Sequence, residues 1–203
     1  MIPNVVDVLI APTLPRTPSM LDDDRGTAGL SAVLWLAGLA TFGILYAPQG
    51  LLPQISTALA LDPVHASWLM SSATLALAVS IIPWALLSDR IGRRRALQLS
   101  ALLAAIFALC GPLLPGYTGL LVGRILLGMA LAGLPALAMT YLHEAASIRR
   151  APALAAGYIA ATSVGGLVGR VGAPPLAEIT DWRTSLVLLG GVAGPRIGTE
   201  PEV

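Results

Sequence analysis

The 203-residue chain is 56% hydrophobic and 11% charged, and its mean hydropathy of +0.79 excludes an ordinary soluble domain and makes the lipid bilayer its first partner. The net charge of +1 says little beside the placement of the charges, and a single cysteine, Cys110, excludes a disulfide framework or a thiolate metal cluster.

In chain order, residues 1–28 read as a flexible cytoplasmic tail, because the apolar patch there is short, interrupted by proline and lacks the basic start of a cleavable signal. From Gly26 to Leu61 the only ionisable group is Tyr46, a window longer than the roughly 20 apolar residues that cross about 30 Å of hydrocarbon. Similar runs follow at Ala66–Leu87, Ala96–Leu114, Leu120–Leu142 and Ala153–Ala173. A sixth begins at Thr184 and meets Pro195 and Arg196 after eleven residues, about 16 Å of helix. The expected fold is therefore an all-α integral membrane bundle over residues 29–194, with five complete transmembrane helices and a truncated sixth. A short polar tail, 195–203, closes the chain, and the abrupt change leads us to expect a missing C-terminal half or a second copy as partner.

Every basic residue other than histidine is arginine, and placement orients the bundle. Arg16, Arg25, Arg90, Arg93, Arg94, Arg95, Arg149 and Arg150 fall on one side, and Arg183 on the other, so the positive-inside rule predicts a cytoplasmic N-terminus. The stretch LLSDRIGRRRAL, Leu86–Leu97, is then a cytoplasmic turn between antiparallel spans. It is too short and isolated to be a nucleic-acid footprint.

Within the spans, Tyr46 and Gln49 are three residues apart on one helical face and could line a substrate cavity, or satisfy a neighbouring helix. Arg124 lies about seven residues inside the fourth span, where a lone arginine costs at least a few kcal/mol. It repeats with Gly128 and Ala132 every fourth position, so it shares a face that another helix can approach closely. Snorkelling to the headgroups is the alternative. Gly157, Ala161, Gly165, Gly169 and Ala173 form a stripe of small residues that permits close helix packing. Arg170, four residues before Pro174, is expected to snorkel. His65 and His143 fall on opposite sides, and no H-E-x-x-H, G-x-S-x-G or G-x-x-x-x-G-K pattern occurs, so neither an enzyme, a metal site nor a cofactor is expected.

The run from Ala85, ALLSDRIGRRR, resembles the signature G-x-x-x-D-R-x-G-R-R/K between the second and third helices of the major facilitator superfamily, with Asp89, Arg90, Gly92, Arg93 and Arg94 matching and Ala85 in place of glycine. The phrases LYAPQGLLPQI, GRILLGMALAG and TYLHEAA are similar to bacterial small-molecule efflux permeases of the proton-antiporter branch. The resemblance implies the N-terminal six-helix half of a permease that carries a small molecule, coupled to protons. It implies a cytoplasmic gating loop with Asp89 as hub, Arg93 and Arg94 as its partners or lipid anchors, and Glu144, Arg149 and Arg150 extending the network. Arg124 and Gly128 match the fourth-helix R-x-x-x-G pattern, Leu127 replacing a frequent glutamine, which implies a part in proton or substrate coupling. A membrane assembly subunit and a nonfunctional remnant share the same expected fold.

Overall fold

The computed structural model describes residues 24–145 and 150–193, all of them helix, turn or short connection. The elements are α1 (Asp24–Gly50), α2 (Leu52–Ala58), α3 (Pro63–Ile91), α4 (Arg93–Cys110), a 3-10 turn at Gly111–Leu113, α5 (Gly116–Leu131), α6 (Gly133–Ala145), α7 (Ala151–Ile179) and α8 (Trp182–Ala193). Of the expected tail 1–28, residues 24–28 are helical and open α1, while residues 1–23, the tail 195–203 and the loop positions 146–149, Arg149 included, lie outside the described residues, as does the side chain of Glu144.

Four helices are long and apolar enough to cross a membrane, or five if the bent pair α1–α2 forms one span. The first apolar window is not one straight rod. Leu34–Gly50 and Leu52–Ala58 meet at 53°, where Leu51 N–H donates to Pro48 O at 3.1 Å and the prolines at 48 and 53 remove two ladder donors. The fourth window breaks between Leu131 and Gly133. Pro135 cannot donate to Leu131, while Trp84 Nε1 donates to Met129 O at 2.8 Å and Ser100 Oγ to Ala130 O at 2.7 Å. Donors from two other helices thus satisfy carbonyls at the break, which is what keeps an irregular backbone tolerable in lipid.

Helix α1 lies along α7, α3 along α5, and α4 between α5 and α8. The first pair is built on the small-residue stripe. A Cβ added at Gly165 would sit 2.7 Å from Leu39 Cα, one at Gly169 would sit 3.0 Å from Gly43 Cα, and one at Gly157 would meet Trp35 Nε1 at 3.0 Å. Ala161 is fully buried against Gly38. The stripe meets α1 backbone against backbone. The α3–α5 pair uses the same device at Gly128, where a Cβ would lie 3.0 Å from Ala73 Cα.

One end of the bundle gathers the starts of α3, α5 and α8. Asp62 caps α3, accepting from His65 N–H at 2.7 Å, and the His65 ring meets Tyr117 edge-on at 5.2 Å. Asp181 accepts from the N–H groups of Arg183 and Thr184 at 2.7 and 3.0 Å, capping α8. Arg183 donates to Pro112 O and, at 3.0 Å, to Leu114 O, which ties α8 to the α4–α5 connection. The opposite end joins α3 to α4 through Gly92 alone, at φ 88° and ψ 147°, a conformation open to glycine and strained for other residues.

Candidate functional site

The arginine turn stands at that second end. Asp89 and Arg90 are exposed on the last turn of α3, and Arg94 and Arg95 on the first turn of α4, with Arg93 half-buried. Among the described residues Asp89 makes no ion pair, so of the two roles expected for Arg93 and Arg94, partners of Asp89 or lipid anchors, the first is not formed here. The reason is energetic: exposed pairs gain only about 0–1 kcal/mol, and holding long side chains together costs entropy. The charges also oppose the helix dipoles. An aspartate ends α3, where the carbonyls already concentrate negative potential, and three arginines begin α4, where the N–H groups concentrate positive potential. Arg90, in the last turn of α3, is the exception and suits the C-terminal end of that helix, whereas the three arginines that open α4 gain nothing from its dipole.

Arg124 is 5% exposed and does not snorkel. Its Nε donates to Leu69 O at 3.2 Å and an Nη to Leu45 O at 2.7 Å, bridging the main chains of α3 and α1. These charge-assisted bonds offset the cost of the buried cation. Gly128, one turn on, lets α3 approach closely enough for Leu69 O to be reached. The two residues therefore act as one joint between α1, α3 and α5. It borders a small, almost wholly apolar space of about 30 Å³ lined by Ile44, Pro48, Leu69, Phe107 and Leu127, among others.

Tyr46 and Gln49 do not line the same cleft. Tyr46 lines an open cleft of about 330 Å³ with Phe42, Thr162, Ser163, Gly166, Leu167 and Arg170, whereas Gln49, exposed near the end of α1, is not among its lining residues. The Arg170 guanidinium lies 4.6 Å from the Tyr46 ring centroid, a cation–π distance. This replaces the snorkelling expected from Pro174. Helix α7 continues through Pro174 and Pro175 to Ile179, so Arg170 is about 14 Å from the helix end. Pro174 leaves the Arg170 carbonyl without its ladder donor, and Gly50 packs against that carbonyl, while Ser185 Oγ of α8 donates to Ala173 O at 2.9 Å. Sequence reading missed the cleft's α7 wall. Its signal was the spacing of Thr162, Gly166 and Arg170, each four apart, facing Phe42 and Tyr46 at the same interval.

Comparison with known proteins gives the same architecture. The family description "Major Facilitator Superfamily" matches residues 34–195. The inner membrane transport protein YnfM of Escherichia coli is 35% identical over 169 residues, which are 82% of this chain and 40% of YnfM. The MFS-type transporter YybF of Bacillus subtilis is 32% identical over 164 residues, 81% of this chain and 41% of YybF. The solved structure of the proton:xylose symporter XylE, bound to 6-bromo-6-deoxy-D-glucose, superposes with a TM-score of 0.72 at 18% identity, covering 87% of this chain and 45% of that one. The chain thus spans about two fifths of the length of the curated relatives it matches. With the family match running through nearly all the described helices and relatives above 30% identity, this multi-pass membrane chain belongs to the major facilitator superfamily.

Proposed function

We propose that the chain forms the first helical half of a permease that moves a small molecule across a bacterial inner membrane by alternating access. The observation that supports this best is the D-R-x-G-R-R turn, Asp89–Arg94, standing largely exposed between α3 and α4, with Asp89 set against the dipole of α3 and the arginines that open α4 set against that of α4. Such charges are stabilised by a partner surface or by lipid phosphates, and a gating loop meets the former when closed and releases it when open. In this reading the N-terminus and the turn are cytoplasmic, and a second bundle, from a longer chain or another copy, supplies the opposite wall of the pathway.

Proton-coupled efflux is the finer part of the proposal. Carboxylates in the described segment occur at Asp24, Asp62, Asp89, Glu144, Glu178 and Asp181, all at helix ends or connections. A proton-carrying carboxylate at the midplane would come from the opposite bundle. Arg124 would then act indirectly, fixing α1 against α3 so that movement of one helix reaches the other.

Flux through proteoliposomes tests the reading, with the chain reconstituted alone and together with the C-terminal half of YnfM, and with labelled solutes driven by an imposed pH gradient. Gradient-dependent flux that falls at least tenfold in Asp89→Asn, at equal incorporation, is the expected result. Flux that Asp89→Asn leaves unchanged would reduce the turn to a topology signal, and no flux in either setting would favour an assembly subunit or a remnant. Cysteines placed at Ile91 and Pro63 check orientation. An impermeant reagent added to intact cells should label Pro63→Cys and spare Ile91→Cys.

A further inference from the structure

The cleft between α1 and α7 holds a charge that no described residue balances. Arg170 is exposed there, and among the described residues its guanidinium makes no hydrogen bond and no ion pair, only the contact with the Tyr46 ring. Arg124, the other arginine inside a span, spends its donors on two carbonyls. Since each carboxylate of the described segment sits at a helix end or connection, nothing within the spans balances Arg170. An unbalanced guanidinium over an aromatic face offers a planar fork of N–H donors and a strong positive potential in a medium of low dielectric.

The neighbouring hydroxyls add to this. Thr162 Oγ1 and Ser163 Oγ both donate to Ile159 O, at 2.7 and 3.3 Å. One carbonyl receives both, so the longer-bonded Ser163 can turn its hydrogen to a ligand while Thr162 keeps Ile159 O satisfied. The remaining lining, Phe42, Tyr46 and Leu167, is apolar or aromatic. Donors at one side and rings at the other describe an anion with an apolar body. A sugar would instead need acceptors and donors in comparable number.

We propose that the α1–α7 cleft binds an organic carboxylate, Arg170 pairing with the carboxylate, Ser163 donating to it, and the Phe42 and Tyr46 rings flanking its apolar body. This names the substrate class of the permease proposed above and rests on that reading.

Benzoate and its neutral isostere benzamide are suitable probes, titrated against the whole purified chain in uncharged detergent, with binding read by calorimetry and by the shift in melting temperature. Benzoate should bind at least tenfold more tightly than benzamide. Arg170→Ala should erase the difference, Arg170→Lys should retain charge but lose the planar fork and weaken benzoate several-fold, and Ser163→Ala should weaken it two- to fivefold. Helical circular dichroism and the ligand-free melting point show whether each variant is folded, and Ser163→Ala and Arg170→Lys keep the test open if Arg170→Ala does not fold. Equal binding of the two probes, or benzoate binding that folded Arg170 variants leave intact, overturns the proposal. So does failure of benzoate to bind, which would mark Arg170 as the partner of a carboxylate elsewhere in a longer protein. Flux of a neutral solute without benzoate binding would leave the permease reading standing and remove this one. Benzoate binding without flux of any solute would do the reverse.

Discussion

Two glycines of the same helix should respond oppositely to the same methyl group. At Gly165 an added Cβ would lie 2.7 Å from Leu39 Cα and 2.9 Å from its carbonyl carbon, and both are backbone atoms that no rotamer change can move. Ordinary carbon contacts begin near 3.5 Å, so α1 must retreat from α7 by most of an ångström along the Gly43–Gly169 crossing as well. Overpacking of this kind costs about 1–3 kcal/mol, a five- to 150-fold drop in the folding equilibrium. At Gly172 nothing lies within 4 Å of the added Cβ. There Gly→Ala removes only the conformational freedom of glycine, and a helix interior gains roughly 0.5–1 kcal/mol. Reversible unfolding in mixed micelles, followed by helical circular dichroism, measures both. Gly165→Ala should lower the midpoint and Gly172→Ala should raise it. If Gly165→Ala is neutral or stabilising, the α1–α7 seam is not held backbone to backbone, and the account of the stripe fails.

Arg124→Lys keeps the charge but cannot reach Leu45 O and Leu69 O from two separate nitrogens, so it should lose one charge-assisted bond and about 1.5–3 kcal/mol of stability in the same assay. Asp62 is held below the usual aspartate range, first by the backbone N–H of His65 and then by its ring. A carboxylate depressed in the folded state stabilises above its unfolded pKa and loses that contribution as pH falls through the folded value. Hydrogen exchange at Ala66 should therefore quicken as pH drops below about 4, after correction for intrinsic rates, and Asp62→Asn should keep the cap while abolishing that pH dependence. Arg183→Ala frees the carbonyls of Pro112 and Leu114 and should increase proteolytic cleavage near Leu113–Gly116 several-fold without changing helical content.

Much of this fold was legible because lipid imposes simple rules. Long apolar windows gave the spans, arginine placement gave the turn at Asp89–Arg94, and four-residue repetition gave the seam of Gly165 and Gly169. The breaks were not legible. Whether α5 continues past Leu131 depends on Trp84 and Ser100, which reach the broken ladder from α3 and α4. Nothing near Pro135 reports them. Proline misled in the other direction at Pro174, where contacts from Gly50 and Ser185 let the helix run on, and Arg170 moved from an expected helix end to a cleft. Arg124 drew attention through its cost, but its partners are main-chain carbonyls, and those carry no sequence signature.

The seam between α1 and α7 also bears on mechanics. Where side chains interdigitate, two helices can slip by exchanging rotamers, but here the meeting surfaces are peptide planes seated in gaps left by Gly38, Gly43, Gly165 and Gly169. A shift of one residue along the axis would drive a Cβ into a carbonyl, so the pair resists shear and travels as a single spar. Phe42 and Tyr46 ride on one member of that spar, Ser163 and Arg170 on the other. The cleft they share should keep its dimensions through any rocking of the bundle, carried bodily from one side of the motion to the other like a berth in a hull.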